Sequence, residues 1–378
     1  MKIIIFDTEY LSLSKRYADL RNLIKFKKKL FPEIIQISFL KCSNIYLKNK
    51  QKKLNIFIKI KQKIPKRITK LTNITSNILQ KKGHCFKESM NLIDKFIDSG
   101  RCEFLSAFGV QLPLRVIVSQ LGAPMSDVAL FRKWTEAFIG NLSQQLDRDG
   151  LIQAAKDMLE FQHYFAARIE ERRLDPQQDI LSKIVNASID GEKQLSIAES
   201  LSMISQILVA GNETTSASLS EGIWLLIENP DQYELLRENP SPEMISRFVE
   251  EVLRISSPSS NMFRRADKEV VMQGVTVPKD AILFARFASA NQDEEQFPEP
   301  ESFNLMRDNL KDQVAFGKGV HHCLGAALSR REMNIGFRVI LERLENFRLA
   351  EDASPPSFSA NVLLHGLSGL DLAFDKVR

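Results

Sequence analysis

The sequence predicts a mainly α-helical protein with small β-sheets, preceded by an α/β segment of about 97 residues. Long segments with apolar residues at helical spacing dominate from about Cys102 onward. Short apolar runs typical of strands lie before that point. Composition changes as well: residues 1–100 contain 23 Lys or Arg and 7 Asp or Glu, whereas residues 101–378 contain 29 and 40. We therefore expect two domains, 1–97 and 98–378.

The opening segment contains both predicted strands and predicted helices. Its predicted strands are "KIIIF", "EIIQISFL" and "LNIFIKIK". Its predicted helices are "RITKLTNITSNILQKKG", which ends at Gly83, and "FKESMNLIDKFID", which ends before Gly100. This order of elements indicates an α/β fold.

The remainder of the chain reads as long helices with a few strands. The predicted helices include "LPLRVIVSQLG", "ALFRKWTEAFIGNLSQQL", "MLEFQHYFAARIEERR" and "LSMISQILVAGNETTSASLSEGIWLLI". Short strands are predicted around "VVMQGVTVP" and "AILFARF". The change of character falls abruptly near residues 96–100.

Charge, cysteines and hydropathy narrow the class of protein. The favoured explanation of the basic opening segment is that its lysines lie on the solvated face of a folded domain. Binding to nucleic acid or to an acidic membrane surface is the less favoured explanation. The four cysteines show no CxxC pair, which favours a reducing compartment. The start resembles no signal peptide, and no window approaches about 18 uncharged apolar residues. We expect a cytoplasmic protein without a membrane anchor.

One cysteine lies in a glycine-rich loop, "VAFGKGVHHCLGAAL", that leads into a predicted helix. Gly317 and Gly319 permit backbone conformations that bring amides close to a ligand, and Gly325 would let the helix approach a flat cofactor. The helix dipole and nearby amides favour the thiolate of Cys323, which is the form that binds metal. Taken alone, such a cysteine is more often a buried, inert thiol.

A second motif, "AGNETT", interrupts a predicted apolar helix with residues that weaken helices. Ala210 and Gly211 are expected to leave space beside the helix. The Thr214 hydroxyl can bond to the carbonyl four residues earlier and hold a water or dioxygen, with Glu213 as a neighbouring proton source. The alternative is a helix with a tolerated polar patch.

The segment "EEVLR" places Glu251 and Arg254 three residues apart, where they share one helix face and can form an ion pair. Taken alone, this spacing is most often that of a solvated surface pair.

In order and spacing, the cysteine loop resembles the haem-binding signature of the cytochrome P450 family. The matching residues are Phe316, Gly317, Gly319, His321, Cys323 and Gly325. "AGNETT" is similar to the family's oxygen-activating motif, and it precedes "EEVLR" and the cysteine loop as it does in that family. The resemblance runs from about residue 98 to the C-terminus, which implies the family's fold without its N-terminal helices.

The resemblance also implies roles for individual residues. Cys323 is expected to be the haem iron ligand, and His321 and Arg264 are expected to bind the haem propionates. Glu251 and Arg254 then resemble the family's buried structural ion pair beneath the haem loop. Asn291, Phe297, Pro298 and Arg307 resemble structural residues of the segment before that loop.

The activity that the resemblance implies is a haem-thiolate monooxygenase. Such an enzyme would activate O₂ at haem and hydroxylate a small apolar organic substrate, with Glu213 and Thr214 as catalytic residues. No flavin or iron–sulfur domain is visible, so a separate ferredoxin-type or flavodoxin-type protein is expected to supply electrons. Lys318, Arg330 and Arg331 are candidates for its basic docking surface.

The opening segment carries a second resemblance, to the DEDD-type 3'-5' exonucleases, whose fold is ribonuclease H-like. "IIIFDTEY" resembles their first motif and "IPKRITKLTNITSNIL" a later segment. Asp7 and Glu9 would reach a Mg²⁺ ion from a strand end. The family's later motifs do not follow, so this magnesium site is expected to be vestigial.

Two alternatives therefore remain beside the monooxygenase. One is a nuclease-derived protein that binds nucleic acid through its basic opening segment. The other is a catalytically inactive fusion of two partial genes.

Overall fold

A computed structural model of the chain describes residues 3–4, 84–143, 146–187, 194–359 and 361–377. Asp7 and Glu9 lie outside these residues, and so do the predicted strands "EIIQISFL" and "LNIFIKIK" and the predicted helix "RITKLTNITSNILQKKG". From "KIIIF", the backbone of Ile3–Ile4 (β1) is described, and it forms a two-residue strand.

Helices make up most of the described residues, which confirms the predicted mainly helical fold. They are α1 (His84–Ile93), α2 (Gln111–Gln120), α3 (Val128–Ser143), α4 (Arg148–Leu174), α5 (Ile180–Val185), α6 (Ile197–Glu228), α7 (Pro230–Glu238), α8 (Pro242–Ser256), α9 (Phe287–Ala290) and α10 (Ala326–Arg343). A short π-helix, Leu105–Gly109, leads into α2.

The strands form small sheets at the edge of the helical body. They are β2 (Arg101–Glu103), β3 (Asn261–Arg265), β4 (Val270–Met272), β5 (Val275–Val277), β6 (Ile282–Arg286), β7 (Leu344–Leu349) and β8 (Asp371–Lys376). The first sheet has the order β1-β6-β3, with β3 antiparallel and β1 parallel to β6. A second sheet has the order β2-β8-β7, and β4 and β5 pair antiparallel. The predicted strands around "VVMQGVTVP" and "AILFARF" are thus confirmed.

Helix α6 lies at the centre of the helical body. It begins at a capping box in which Ser196 and Glu199 satisfy each other's backbone amides. Its second half is almost continuously buried, and its apolar residues belong to both large clusters of the core: Leu219 and Ile223 to one, Ile204 and Leu208 to the other. Helix α6 therefore packs against both large clusters of the core.

Helix α1 packs into the larger core cluster together with the turn that follows it. Leu92, Ile93, Phe96 and Ile97 are all buried there. These residues precede position 98, where we expected the C-terminal domain to begin, so the packed body includes residues before that position. The division of the chain into two domains remains a prediction.

Candidate active site

The helix that follows the cysteine loop lies directly against α6. A Cβ on Gly222 of α6 would lie 2.4 Å from Phe337 Cζ of α10, so only glycine permits this close approach. Farther towards the cysteine loop, the Thr215 hydroxyl donates a hydrogen bond to Ser329 Oγ at 3.0 Å. The "AGNETT" motif and the start of α10 are therefore neighbours in space.

The cysteine loop turns at its two glycines. Gly317 and Gly319 both have left-handed backbone conformations, with φ of 66° and 80°. Residues with a side chain rarely adopt these values. The turn returns the chain on itself, because the Cys323 amide donates to the Phe316 carbonyl at 2.9 Å. The expectation that these glycines permit a tight loop is confirmed.

The thiol of Cys323 is accessible, because its side chain is exposed to solvent. It therefore differs from the buried, inert thiol that was the alternative. Partial desolvation by the surrounding protein raises the thiol pKa, while the N–H groups of Gly325 and Ala326 and the positive charge of Arg330 act in the opposite direction. An exposed sulfur with amides aimed at it from a helix start is suited to bind a metal as thiolate.

Glu250 on α8 connects the two sides of the cysteine loop. Its carboxylate accepts two hydrogen bonds from Arg330, at 2.5 and 3.0 Å, and one from the Gln313 amide at 3.0 Å. The Arg330 guanidinium in turn lies over the Phe316 ring, 4.5 Å from its centroid. Glu250 thus fixes the residues before the loop and the helix after it.

The adjacent Glu251 forms a buried ion-pair cluster with two arginines. Arg254 donates to both of its carboxylate oxygens, at 2.7 and 2.9 Å, and both side chains are fully buried. Arg307 adds a third contact at 3.3 Å. The predicted pair therefore exists, and it is buried rather than solvated. Because buried charges require complete pairing, this cluster fixes α8 against the segment that carries Arg307.

Asn291 links this cluster to the beginning of the cysteine loop. Arg254 donates to the Asn291 carbonyl at 2.8 Å, and the Asn291 side chain accepts from the Val314 amide at 2.7 Å. The Asn291 side-chain nitrogen, Nδ2, donates to Ser257 Oγ at 2.8 Å. The ion-pair cluster therefore supports the loop through one fully buried asparagine.

On α6, the "AGNETT" motif contains an exposed alanine and a threonine that is hydrogen-bonded to the carbonyl of that alanine. Ala210 is exposed, and the Thr214 hydroxyl donates to its carbonyl at 2.8 Å, as the sequence predicted. We expected Gly211 to leave open space beside the helix, but that space is filled. A Cβ there would lie 2.8 Å from Ile117 Cδ1, so this glycine lets α2 pack closely against α6.

Glu213 has a strongly perturbed carboxyl group. Burial, together with the negative charge of Glu136 on α3, raises its pKa to about 7, although the positive charge of Arg132 acts in the opposite direction. A carboxyl group with this pKa can both give and accept a proton near neutral pH. The position next to Thr214 makes it a candidate proton donor for the site.

The two expected propionate partners lie on neighbouring elements. His321 is exposed in a short 3₁₀ turn before the cysteine. Arg264 is half-buried on β3, where its guanidinium donates to the Phe263 carbonyl at 2.9 Å. The sheet that holds Arg264 continues into Phe287, whose Cζ atom would lie 3.7 Å from a Cβ on Gly317. That sheet thus borders the cysteine loop.

Comparisons with known proteins identify the family. The model of the family "Cytochrome P450" matches residues 114–369. The chain belongs to the cytochrome P450 family. It is 34% identical over 286 residues to the polyketide biosynthesis cytochrome P450 PksS of Bacillus subtilis, covering 75% of this chain and 68% of that protein. It is 33% identical over 284 residues to a steroid C26-monooxygenase of Mycobacterium tuberculosis, covering 75% of each chain.

A solved structure shows the same fold. CYP109E1 from Bacillus megaterium, determined in complex with testosterone, superposes with a TM-score of 0.74 at 26% identity, covering 84% of this chain and 88% of that one. The P450 fold predicted for the C-terminal part is thereby confirmed. An exonuclease-like segment at the start of the chain finds no support in these matches, which concern the P450 part.

The residues present fit the haem that this family implies. Cys323 is an exposed residue, and the amides of Gly325 and Ala326 lie beside its sulfur. On the neighbouring helix α6, Ala210 is exposed and Thr214 is not fully buried. A cysteine thiolate is the ligand that holds the haem iron in P450s, so Cys323 fits this group. In the part of the chain that the structure describes, no helix has the length and hydropathy to span a membrane.

Several contacts in the site were not predicted from the sequence. Glu250 lies in the segment "EEVLR", where two consecutive glutamates were the feature that could have pointed to it. The Thr215–Ser329 hydrogen bond and a contact between Glu221 and His365 had no local signal, because each joins residues far apart in sequence.

Proposed function

We propose that the chain is a haem-thiolate monooxygenase that hydroxylates a small apolar organic molecule with electrons from a separate protein donor. The observation that carries the proposal is the exposed residue Cys323, which follows two glycine turns and lies just before the helix that packs on "AGNETT". Membership of the P450 family supports the reaction class, because its relatives include a protein named as a monooxygenase.

Cys323 is the residue that would bind the haem iron. When bound, haem supplies O₂ activation, with one oxygen atom entering a C–H bond of the substrate and the other leaving as water. The amides of Gly325 and Ala326 stabilise the negative charge on sulfur. The Glu250–Arg330 contact keeps the loop and the helix after it in one position.

Thr214 and Glu213 would manage the protons that the reaction consumes. The Thr214 hydroxyl is fixed by its bond to the Ala210 carbonyl, which leaves its oxygen as an acceptor towards the site. Glu213, with a pKa of about 7, is able to be reprotonated from solvent at neutral pH. Loss of either group would let the electrons reduce O₂ to peroxide or water without forming product.

His321 and Arg264 would bind the two propionate groups of haem. His321 lies in the turn two residues before the ligand, and Arg264 belongs to the sheet that borders the loop. A charged arginine forms strong hydrogen bonds with carboxylates. This assignment predicts that Arg264→Ala weakens haem retention without removing the thiolate ligand.

An apolar substrate is supported by the accessible side chains of this part of the molecule. Met262 and Phe263 on β3 are 38% and 50% exposed, and Val362 is 63% exposed. Asn261 donates to the Val362 carbonyl at 2.8 Å, so these apolar groups lie close together. The names of the relatives refer to polyketide biosynthesis and to a steroid, which are largely apolar compounds.

The electron donor is proposed to be a ferredoxin-type or flavodoxin-type protein. Lys318 is exposed beside the cysteine loop and can contribute to an electrostatic docking surface. Arg330 contributes less than expected, because Glu250 neutralises its charge.

The test is donor-dependent oxygen chemistry. Haem-loaded protein is mixed with a ferredoxin, its reductase, NADPH and testosterone under ¹⁸O₂. We expect ferredoxin-dependent O₂ consumption and an ¹⁸O atom in the steroid product. Cys323→Ala should abolish both, whereas the matched control Cys102→Ala should retain them, because Cys102 lies on β2, where it pairs with Leu372 of β8. Haem-loaded protein that consumes no O₂ with the donor contradicts the proposal.

A further inference from the structure

Before β8, the described residues 357–359 and 361–370 form a loop, named here the 357–370 loop, that contacts two other parts of the protein. The His365 amide donates to the Pro258 carbonyl at 2.9 Å, and Leu364 forms a β-bridge with Ser259. These bonds tie the loop to the segment between α8 and β3. A second bridge, between Phe358 and Leu367, closes the loop on itself.

The same loop touches α6 close to the "AGNETT" motif. A Cβ on Gly366 would lie 2.9 Å from the Ala217 Cβ, so the loop backbone lies directly on this helix. Ala217 follows Thr214 by three residues, which is nearly one helical turn. The loop therefore contacts α6 within one helical turn of Thr214.

A histidine and a buried carboxylate meet at this contact. His365 Nδ1 lies 3.1 Å from the Ser256 carbonyl oxygen and 3.3 Å from Glu221 Oε1. Both neighbours are acceptors, so Nδ1 carries a hydrogen in the neutral as well as in the charged ring. The charge of His365 therefore changes at Nε2. The His365 side chain is 35% exposed, so solvent can exchange this proton.

Glu221 depends on His365 for the compensation of its charge. The Glu221 residue is 3% exposed, and among the described residues its Oε1 atom has no hydrogen bond of normal geometry. A carboxylate buried in this way is destabilised unless a cation lies beside it. The Phe358 ring, stacked on His365 with centroids 4.4 Å apart, adds a favourable contact to a charged imidazole.

The charged groups of the surrounding elements are engaged elsewhere. Arg254 of α8 directs its guanidinium to Glu251 and to the Asn291, Pro300 and Ser302 carbonyls. Glu103 accepts hydrogen bonds from the amides of Leu370, Leu105 and Ser106. Within the described part of the chain, His365 is the charged group acting on Glu221, and Glu221 is the one acting on His365.

We propose that Glu221 and His365 form a proton-dependent latch that positions the 357–370 loop against α6. When His365 is charged, its ion pair with Glu221 holds the loop on the helix. When Nε2 loses its proton, the buried carboxylate loses its counter-charge and the loop separates from α6 more often. The latch lies in the protein alone, so it does not depend on haem binding or on the proposed reaction.

The direction of the pH effect follows from the pKa shifts. Burial lowers the pKa of His365, but the contacts with Glu221 and the Ser256 carbonyl outweigh it and leave the pKa above 6.5. Burial raises the pKa of Glu221, with the nearby His365 acting in the opposite direction. A histidine with a raised folded-state pKa stabilises the folded state below about 6.5, and this contribution is lost as pH rises through the raised value.

The test is hydrogen–deuterium exchange of the loop amides in the full-length protein. Protection of peptides within residues 357–370 is compared at about pH 6 and about pH 8.5, after correction for intrinsic exchange. We expect faster opening at the higher pH. Each unit by which the folded pKa exceeds 6.5 changes the opening equilibrium by about tenfold. The midpoint should coincide with the titration of the His365 ring followed by NMR.

Variants separate the latch from a general pH effect. His365→Asn keeps a donor towards the Ser256 carbonyl but cannot become charged, so its loop should open equally at both pH values. Glu221→Gln should lower the His365 titration midpoint. His163→Asn, at an exposed position on α4, should behave as wild type. The proposal would be overturned if the wild-type loop were equally protected at both pH values, or if Glu221→Gln left the pH dependence unchanged. The first of these results comes from the wild-type protein alone, so it does not depend on whether a variant folds.

Discussion

Thr215 on α6 donates a hydrogen bond to Ser329 on α10 at 3.0 Å. This bond connects the residue next to Thr214 with the first turns of the helix that follows Cys323. The two motifs are separated by more than 100 positions in sequence, and the hydrogen bond fixes their relation in space. The proposed chemistry depends on that relation, because Cys323 would bind the cofactor and Thr214 would supply protons near it.

Replacement of Thr214 by alanine should uncouple electron use from product formation. The variant loses the hydroxyl that receives and passes protons, so product per NADPH should fall about tenfold or more while NADPH is still consumed. The ratio of product to NADPH measures this. Ser205→Ala is a matched control on α6, because the Ser205 hydroxyl also bonds to a carbonyl of its own helix. Equal ratios in the two variants would contradict the role of Thr214.

Glu213 should make folding stability depend on pH. Its pKa is raised to about 7 from 4.5, so the folded state keeps a proton that the unfolded chain has lost in this range. The free energy of unfolding should fall between about pH 4.5 and 7, by at most about 3 kcal/mol, and this fall should disappear in Glu213→Gln. Urea titrations at a series of pH values measure it.

A second variant tests the cause of this shift. Glu136→Gln removes a negative charge that raises the Glu213 pKa, so the fall in unfolding free energy should be smaller and should end at a lower pH. An unchanged midpoint would show that Glu136 does not act on Glu213.

Glu251→Gln should destabilise the fold strongly. The change leaves Arg254 and Arg307 buried without their shared counter-charge, which costs about 3–5 kcal/mol of unfolding free energy. Glu342→Gln is the matched control, because its pair with Arg338 is about half exposed and should cost about 0.5 kcal/mol. Urea unfolding of both variants gives the comparison, and a cost for Glu251→Gln as small as that of the control would show that the cluster does not support the fold.

Glu250→Ala should loosen the cysteine loop with a smaller loss of stability. Arg330 and Gln313 lose their common acceptor, so Arg330 is no longer held over Phe316. We expect a larger fraction of the haem-loaded variant to lose its thiolate ligand on reduction, which the carbon monoxide spectrum reports as a shift to shorter wavelength. An unchanged spectrum in a folded variant would remove Glu250 from the support of the loop.

The local parts of the site could be predicted because they depend on spacing along the chain. Gly317 and Gly319 turn the loop, Glu251 pairs with Arg254 one helical turn away, and Thr214 bonds to the carbonyl four residues earlier. Each of these contacts is dictated by backbone geometry, so residue types at fixed intervals reveal them.

The contacts between distant segments could not be predicted, because they depend on how helices pack. Nothing in the sequence near Arg307 shows that it joins the Glu251 cluster, and nothing near His365 points to Glu221. Gly211 illustrates the same limit: a small residue permits either open space or close packing, and the position of Ile117 decides for packing.

The measurement that tests the central claim most directly is the carbon monoxide difference spectrum of the dithionite-reduced, haem-loaded protein, with Cys323→Ala and Cys102→Ala alongside. We expect the wild type and Cys102→Ala to show the long-wavelength Soret band of thiolate-ligated haem, and Cys323→Ala to lack it. A wild-type protein without this band, or a Cys323→Ala variant that keeps it, would contradict the assignment of Cys323 as the haem ligand.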